Sequence, residues 1–220
     1  MPKCYPVSLN IEKKRCLVVG GGNVAERKVK TLLEYGAAVT LAAPDITAGL
    51  QDLVQSGNVT YIKEQYKREH LEGIFLVIGA TDDEGVNAKI SADCMEKGLL
   101  VNIVDDPPNG NFYVPAVVRR GPLQIAVSTD GKSPMLARRI REQLQRDYPE
   151  AYGEVIEFIG GLRERVINEI KDSGQKERIL SSMVDSVTMD LLRQGKFDLA
   201  KERIMNAYTG SGGQPQDGSS

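Results

Sequence analysis

CLVVGGGNVAERKVKTLL, residues 16–33, passes from an apolar run through three glycines into a stretch with a helical repeat. Cys16–Gly20 is short and uniformly apolar, which predicts a parallel strand buried on both faces rather than an alternating edge strand. After the glycines, Val24, Ala25, Val29, Leu32 and Leu33 recur at helical spacing, and the pattern stops before Gly36. Gly20, Gly22 and Ala25 therefore carry a G-x-G-x-x-A pattern between a strand and a helix. Glycine permits the tight turn, a missing side chain admits a pyrophosphate, and the helix N-terminus offers it free N–H groups. Gly20 and Gly22 are candidate cofactor contacts; the competing reading is a glycine-tolerant turn in an α/β domain that holds no cofactor.

The same grammar repeats downstream. AAVTLAAP, NVTYIKE, IFLVIGAT and LLVNIVD read as four more strands, with helices over Ile46–Gln55 and Glu84–Lys97. Strands separated by helical stretches imply right-handed crossovers and a parallel sheet. After Asp106 the pattern changes: NFYVPAVVRRG and PLQIAVSTD read as two successive strands joined at Gly121-Pro122. Ser133-Pro134 opens a helix, with serine as N-cap and proline at the first helical position. Amphipathic helices follow from Tyr152 to Ile170 and from Ile179 to Leu192, and the tail TGSGGQPQDGSS has no apolar anchor, so it reads as disordered.

Where such sheets bind ligands, at the carboxyl ends of the strands, several polar residues fall. The acidic residue that grips the adenosine ribose normally ends the second strand, yet Ala42 and Ala43 stand there and Asp45 comes slightly late. Asp45 either reaches the ribose or contributes, with Pro44, mainly backbone. No Arg or Lys immediately follows that strand, which favours NAD over NADP. Thr81, after the fourth strand, either lines the cofactor crevice or belongs to a helix-capping turn. Asp105, after the fifth, is a candidate proton acceptor beside the reacting end of the cofactor; the other reading makes Asp105 and Asp106 the start of a Pro107-Pro108-Asn109-Gly110 turn. If the strand continues, Asp106 points to the opposite face.

Other features narrow the class. His70 is the only histidine, which excludes a zinc site of several histidines; it reads as an exposed loop residue, and no metal site is expected. The three cysteines fit no disulfide framework and read as small buried hydrophobes. A net charge of −2 gives no pull toward nucleic acid. Neither a signal-peptide core nor a run of about 18 apolar residues occurs, so the expectation is a cytoplasmic protein without a membrane span. Arg119, Arg120, Lys132, Arg138, Arg139, Arg141 and Arg146 concentrate positive charge in an acidic chain, either a site for a polycarboxylate or a solvated face.

The runs VGGGNVAERK, ATDD, Asn-x-Val-Asp and S-x-x-G-x-S-P-x-L-A-R occur in order between residues 5 and 146. Together they resemble the precorrin-2 dehydrogenase/sirohydrochlorin ferrochelatase family. The resemblance implies a Rossmann-like NAD-binding domain over 1–112, a small dimerisation region over 113–147 and a helical domain over 148–208, with a disordered tail over 209–220. It further implies two interlocked subunits, and NAD taking a hydride from the tetrapyrrole precorrin-2 to give sirohydrochlorin; some members also insert ferrous iron. The family's key aspartate matches Asp105, its nucleotide contacts match Asn23, Val24, Pro44 and Asp45, and a position modified in some bifunctional relatives matches Thr129. Two departures stand out: the 220 residues contain no methyltransferase-type domain, so none is expected here, and the helical end has no histidine to assist metal insertion. The rival functions are a non-catalytic NAD-binding sensor and a dehydrogenase of a smaller acid.

Overall fold

The structure, a computed structural model, describes residues 4–210. The chain separates into two compact units, one ending at Val114 and one beginning at Pro115.

The first unit is a Rossmann-like α/β fold. Its strands β1 (Arg15–Val19), β2 (Ala38–Ala42), β3 (Val59–Ile62), β4 (Leu76–Gly79) and β5 (Leu100–Ile103) alternate with helices α1 (Asn23–Glu34), α2 (Ala48–Gln55) and α3 (Glu84–Glu96). All five strands are parallel, in the order β3-β2-β1-β4-β5. The uniformly apolar β1 is central because both of its faces are covered: Val18 packs with Ala25, Val29 and Leu50 on one side. Leu17 and Val19 pack with Val77, Ile90 and Val101 on the other. The outer edge of β5 is closed by Asn111, whose side chain accepts from Val101 N at 2.8 Å and donates to Leu99 O at 2.8 Å. A side-chain amide here takes the place of a neighbouring strand and satisfies backbone groups that an edge leaves bare.

Two expectations about this unit change. His70 lies in a short 3-10 turn, Arg68–Leu71, with its side chain only 7% exposed. Its Nε2 faces Glu64 Oε1 at 3.0 Å, its Nδ1 accepts from Lys67 N at 3.3 Å, and its ring meets Tyr66 edge-on. It is a satisfied packing residue rather than an exposed loop residue. Of the cysteines, Cys16 and Cys94 are buried, and burial pushes their thiols up to about 11 and about 12, but Cys4 is exposed.

The second unit begins with an antiparallel pair, β6 (Ala116–Arg120) and β7 (Leu123–Val127), turning at Gly121 with φ +54°. Helices α4 (Pro134–Asp147), α5 (Ala151–Glu169), α6 (Ser173–Met183), α7 (Ser186–Arg193) and α8 (Phe197–Gly210) follow. Ser133 caps α4 as the sequence predicts, its Oγ accepting from Leu136 N. The helix expected over 179–192 is two helices, because Asp185 breaks the apolar repeat. Its carboxylate accepts from Thr188 N at 2.8 Å to cap α7 and is held by Arg203 of α8, which keeps it well below the usual carboxylate range. α8 itself buries Ala200, Ile204 and Tyr208, four residues apart, in the helical core. Thr209 and Gly210, expected in the tail, finish this helix; the rest of the expected tail, 211–220, lies outside the described residues.

Candidate functional site

Register brings the sequence-predicted residues to one edge of the first unit. Val19 of β1 pairs with Ala42 of β2 and with Gly79 of β4, and Gly79 pairs with Ile103 of β5. The strands therefore end level. The segments beginning at Gly20, Ala43, Ala80 and Val104 leave the sheet side by side, around the point where the chain switches from one side of β1 to the other. From β2 to β5 is three strand spacings, roughly 14 Å. A dinucleotide can thus lie across the edge with its adenosine toward β2 and its reacting end toward β5.

The three glycines do different work. Gly20 has φ +122°, and a Cβ there would sit 2.2 Å from Ala80 O, so the β1 and β4 ends touch through it. At Gly21 a Cβ would sit 1.8 Å from Asp45 O, and Gly21 O accepts from Thr47 N at 3.0 Å, which pins the segment after β2. Gly22 is exposed, has a β-region conformation open to any residue, and would place a Cβ with nothing within 4 Å. Protein packing therefore accounts for the first two glycines and leaves the space at Gly22 open.

Gly22 is also the N-cap of α1, and no side chain caps that helix. By contrast Thr47, Asp83, Ser133, Asp172 and Asp185 each cap the helix that follows them. The N–H groups of Asn23, Val24 and Ala25 accordingly have no intrahelical acceptor. Free N–H groups, the positive end of a helix and open space at Gly22 fit a pyrophosphate. Asn23 is exposed and Val24 half-buried at this first turn. Just inside it, Glu26 is not aimed at the open side: it accepts from Thr47 Oγ1 and Lys30, which hold it below its ordinary value.

Pro44 and Asp45 are exposed beyond β2 and line a groove of about 190 Å³ with Gln51, Val54, Tyr61 and Lys63. Tyr61 fixes this segment by donating to Ala43 O and Pro44 O at 2.9 and 3.2 Å. Its hydroxyl is pushed above the ordinary value by burial and by the charge of Asp45. Lys63 reaches the groove from just past the end of β3, a neighbour that the order of residues after β2 did not reveal. Thr81 takes part in the turn that leads into α3. Its Oγ1 donates to Asp83 O at 3.1 Å and accepts from Asp83 N at 3.2 Å, while Asp83 caps α3. Its backbone N lies beside Gly20, 3.2 Å from where a Cβ would stand there.

Asp105 lies two residues past β5, exposed, with φ +60°. It is one of three non-glycine residues of the described chain in the left-handed region, a conformation that aspartate tolerates and that clusters at functional sites. Asp106 does not continue the strand onto the opposite face, since β5 ends at Ile103. Its Oδ2 accepts from Asn109 Nδ2 at 2.7 Å and so shapes the turn, which separates its job from that of Asp105. Sequence reasoning missed Lys28. This half-buried α1 lysine is pushed below the usual range mainly by burial, then by Arg27, while the Asp105 charge pushes it back up.

The basic run of the second unit is divided between structure and surface. Arg120 is buried and donates to Tyr148 O and Gln145 O, tying β6 to the end of α4. Arg138 and Arg141 pair with Glu142. Lys132 and Arg146 are exposed cations with no ion pair among the described residues.

Two family models match the chain: one described as "Putative NAD(P)-binding" over residues 7–116 and one described as "Sirohaem biosynthesis protein central" over residues 120–147. A solved structure of SirC, a precorrin-2 dehydrogenase, superposes with a TM-score of 0.74 at 31% sequence identity, covering 91% of this chain and 100% of that one. The chain belongs to the SirC family. Among curated relatives, the siroheme synthase of Photobacterium profundum is 34% identical over 211 residues, 96% of this chain and 45% of the relative. Siroheme synthase 1 of Aeromonas salmonicida is 39% identical over 181 residues, 80% of this chain and 39% of the relative. The chain thus spans less than half the length of these siroheme synthases, whereas it covers SirC completely. Membership of the SirC family agrees with the Rossmann-like edge and the open glycine turn. No helix among the described residues is long and apolar enough to cross a membrane.

Proposed function

We propose that this chain is an NAD-dependent dehydrogenase that oxidises precorrin-2 to sirohydrochlorin in siroheme biosynthesis, in the cytoplasm. The observation that carries the reading is Asp105, exposed and held in a left-handed conformation on the same sheet edge as the bare Gly22 turn. The oxidation removes a hydride and a proton from the tetrapyrrole, and bound NAD supplies the hydride acceptor. The N–H groups of the first α1 turn hold the pyrophosphate, Pro44 and Asp45 border the ribose, and Asp105 takes the proton. An acid at that ribose position disfavours a 2′-phosphate.

Mixing the protein with NAD and precorrin-2 and following absorbance tests this directly. Growth of the sirohydrochlorin and NADH bands is the expected result. NAD binding without turnover would instead favour a sensor, and turnover of a small acid but not precorrin-2 would favour the third reading.

The chain acts as a homodimer on this proposal, through the segment 113–147, with 148–208 as the helical domain. In support, Met135, Leu136 and Ile140 give α4 an apolar face that is 70, 51 and 36% exposed. The β6–β7 pair is a two-stranded sheet, marginal by itself. Sedimentation at micromolar protein is expected to give twice the chain mass; a stable monomer contradicts the interlocked arrangement.

A further inference from the structure

The acidic residue after β2 comes late, and a tyrosine of the neighbouring strand places it. β2 ends at Ala42, and pairing with β3 reaches only one residue further, where Ala43 N donates to Ile62 O at 3.2 Å. Beyond that point the segment is held by other means. Tyr61 of β3 packs its ring against the same core cluster as Ile46 and Val54. From there its hydroxyl donates to Ala43 O at 2.9 Å and to Pro44 O at 3.2 Å.

These contacts leave Asp45 little freedom. The ring of Pro44 locks its own φ. The bond to Pro44 O then sets the direction of that carbonyl, and with it the planar peptide that leads into Asp45. On the far side, Asp45 O stands 1.8 Å from where a Cβ would be at Gly21, and Thr47 N donates to Gly21 O at 3.0 Å. Asp45 is thus clamped between two fixed peptides. Tyr61 occupies the carbonyls of Ala43 and Pro44, and the carbonyl of Asp45 faces the glycine turn. The acceptor that this segment presents to solvent is therefore the Asp45 carboxylate, which is exposed and has no hydrogen bond or ion pair among the described residues. Tyr61, Pro44 and Asp45 line the same groove.

We propose that Tyr61 is a positioning residue for the adenosine end of NAD: it aims the Asp45 carboxylate so that this side chain, not the backbone, accepts a hydrogen bond from the ribose 2′-hydroxyl. An acceptor already held in one orientation loses little freedom on binding, whereas a loose aspartate must be ordered by the ligand it holds. A tyrosine that merely satisfied two carbonyls past a strand end would support the fold and nothing else. The two roles predict different behaviour toward ligands.

The inference rests on the proposed placing of the ribose at Pro44 and Asp45, and the test separates the two. Calorimetry on the full chain compares NAD with its analogue lacking the adenosine 2′-hydroxyl. Wild type is expected to prefer NAD by about tenfold, the value of a hydrogen bond to a charged acceptor. In Asp45→Ala that preference is expected to vanish. Tyr61→Phe keeps the ring and removes only the oxygen; here the preference is expected to shrink to about two- to threefold, through weaker binding of NAD and unchanged binding of the analogue. Because both ligands are measured on the same variant, a general loss of stability cancels from the ratio. A preference undiminished in Tyr61→Phe overturns the positioning role. An equal loss for both ligands also overturns it, since that is the mark of a purely structural tyrosine. Failure of the underlying reading shows in other proteins: a wild type without preference, or an Asp45→Ala protein that keeps it, removes the ribose from Asp45 and overturns the inference with it.

Discussion

Asp105→Asn is expected to bind NAD almost as wild type does and to lose turnover of precorrin-2 by roughly 10²–10⁴-fold, the range for removing a general base. Asparagine is the informative replacement. Position 105 has φ +60°, where Asn and Asp are tolerated and alanine adds backbone strain, so Asp105→Ala would mix a conformational cost with the chemical one. Isothermal calorimetry reads NAD affinity and the absorbance assay reads turnover. Asp106→Asn serves as the control: its carboxylate is engaged with Asn109 in the turn, so a small loss is expected there. Iron insertion belongs in the same comparison. If wild type makes siroheme from sirohydrochlorin and ferrous iron faster than the background and Asp105→Asn does not, the carboxylate serves both steps. If wild type gives no acceleration, the chain is a dedicated dehydrogenase. Wild-type dehydrogenase turnover in Asp105→Asn would return this residue to the turn reading.

What could be read in the sequence was what local chemistry decides. β1, the glycine turn and α1 follow from an apolar run, three glycines and a 3.6-residue repeat, and the parallel sheet follows from their alternation. The break between α6 and α7 did not, because the apolar spacing continues through Val184 while the decisive event is Asp185 meeting Arg203, eighteen residues later. His70 was misjudged because its neighbours in sequence are charged, whereas its neighbours in space include the ring of Tyr66. At the site, Gly20 and Gly22 look alike in a motif, yet one is bound to the sheet and the other to nothing. Lys28 gave no signal at all, since a lysine in a charged helix normally reports solvent.

The distinction between the glycines leads to the sharpest expectation for the cofactor. Gly22→Asp should leave the protein folded, because the position has β-region dihedrals and an added Cβ meets nothing within 4 Å. It should even favour α1, since aspartate is a strong N-cap and this helix has no side-chain cap of its own. The new carboxylate would then occupy the N–H groups to which the proposed function assigns the pyrophosphate, and repel it. Two unit charges about 4 Å apart at a partly solvated site cost ~2–4 kcal/mol, roughly a 30- to 1,000-fold loss of NAD affinity. Gly20→Ala is the opposite case. At φ +122° and 2.2 Å from Ala80 O, even a methyl group must move the β4 end, so thermal stability should fall whether or not NAD is present. Melting curves and calorimetry on the two variants therefore cross over: one keeps its fold and loses its ligand, the other loses its fold first. A folded Gly22→Asp protein with undiminished NAD affinity would mean that the pyrophosphate does not rest on this turn, and the open space at Gly22 would need another occupant.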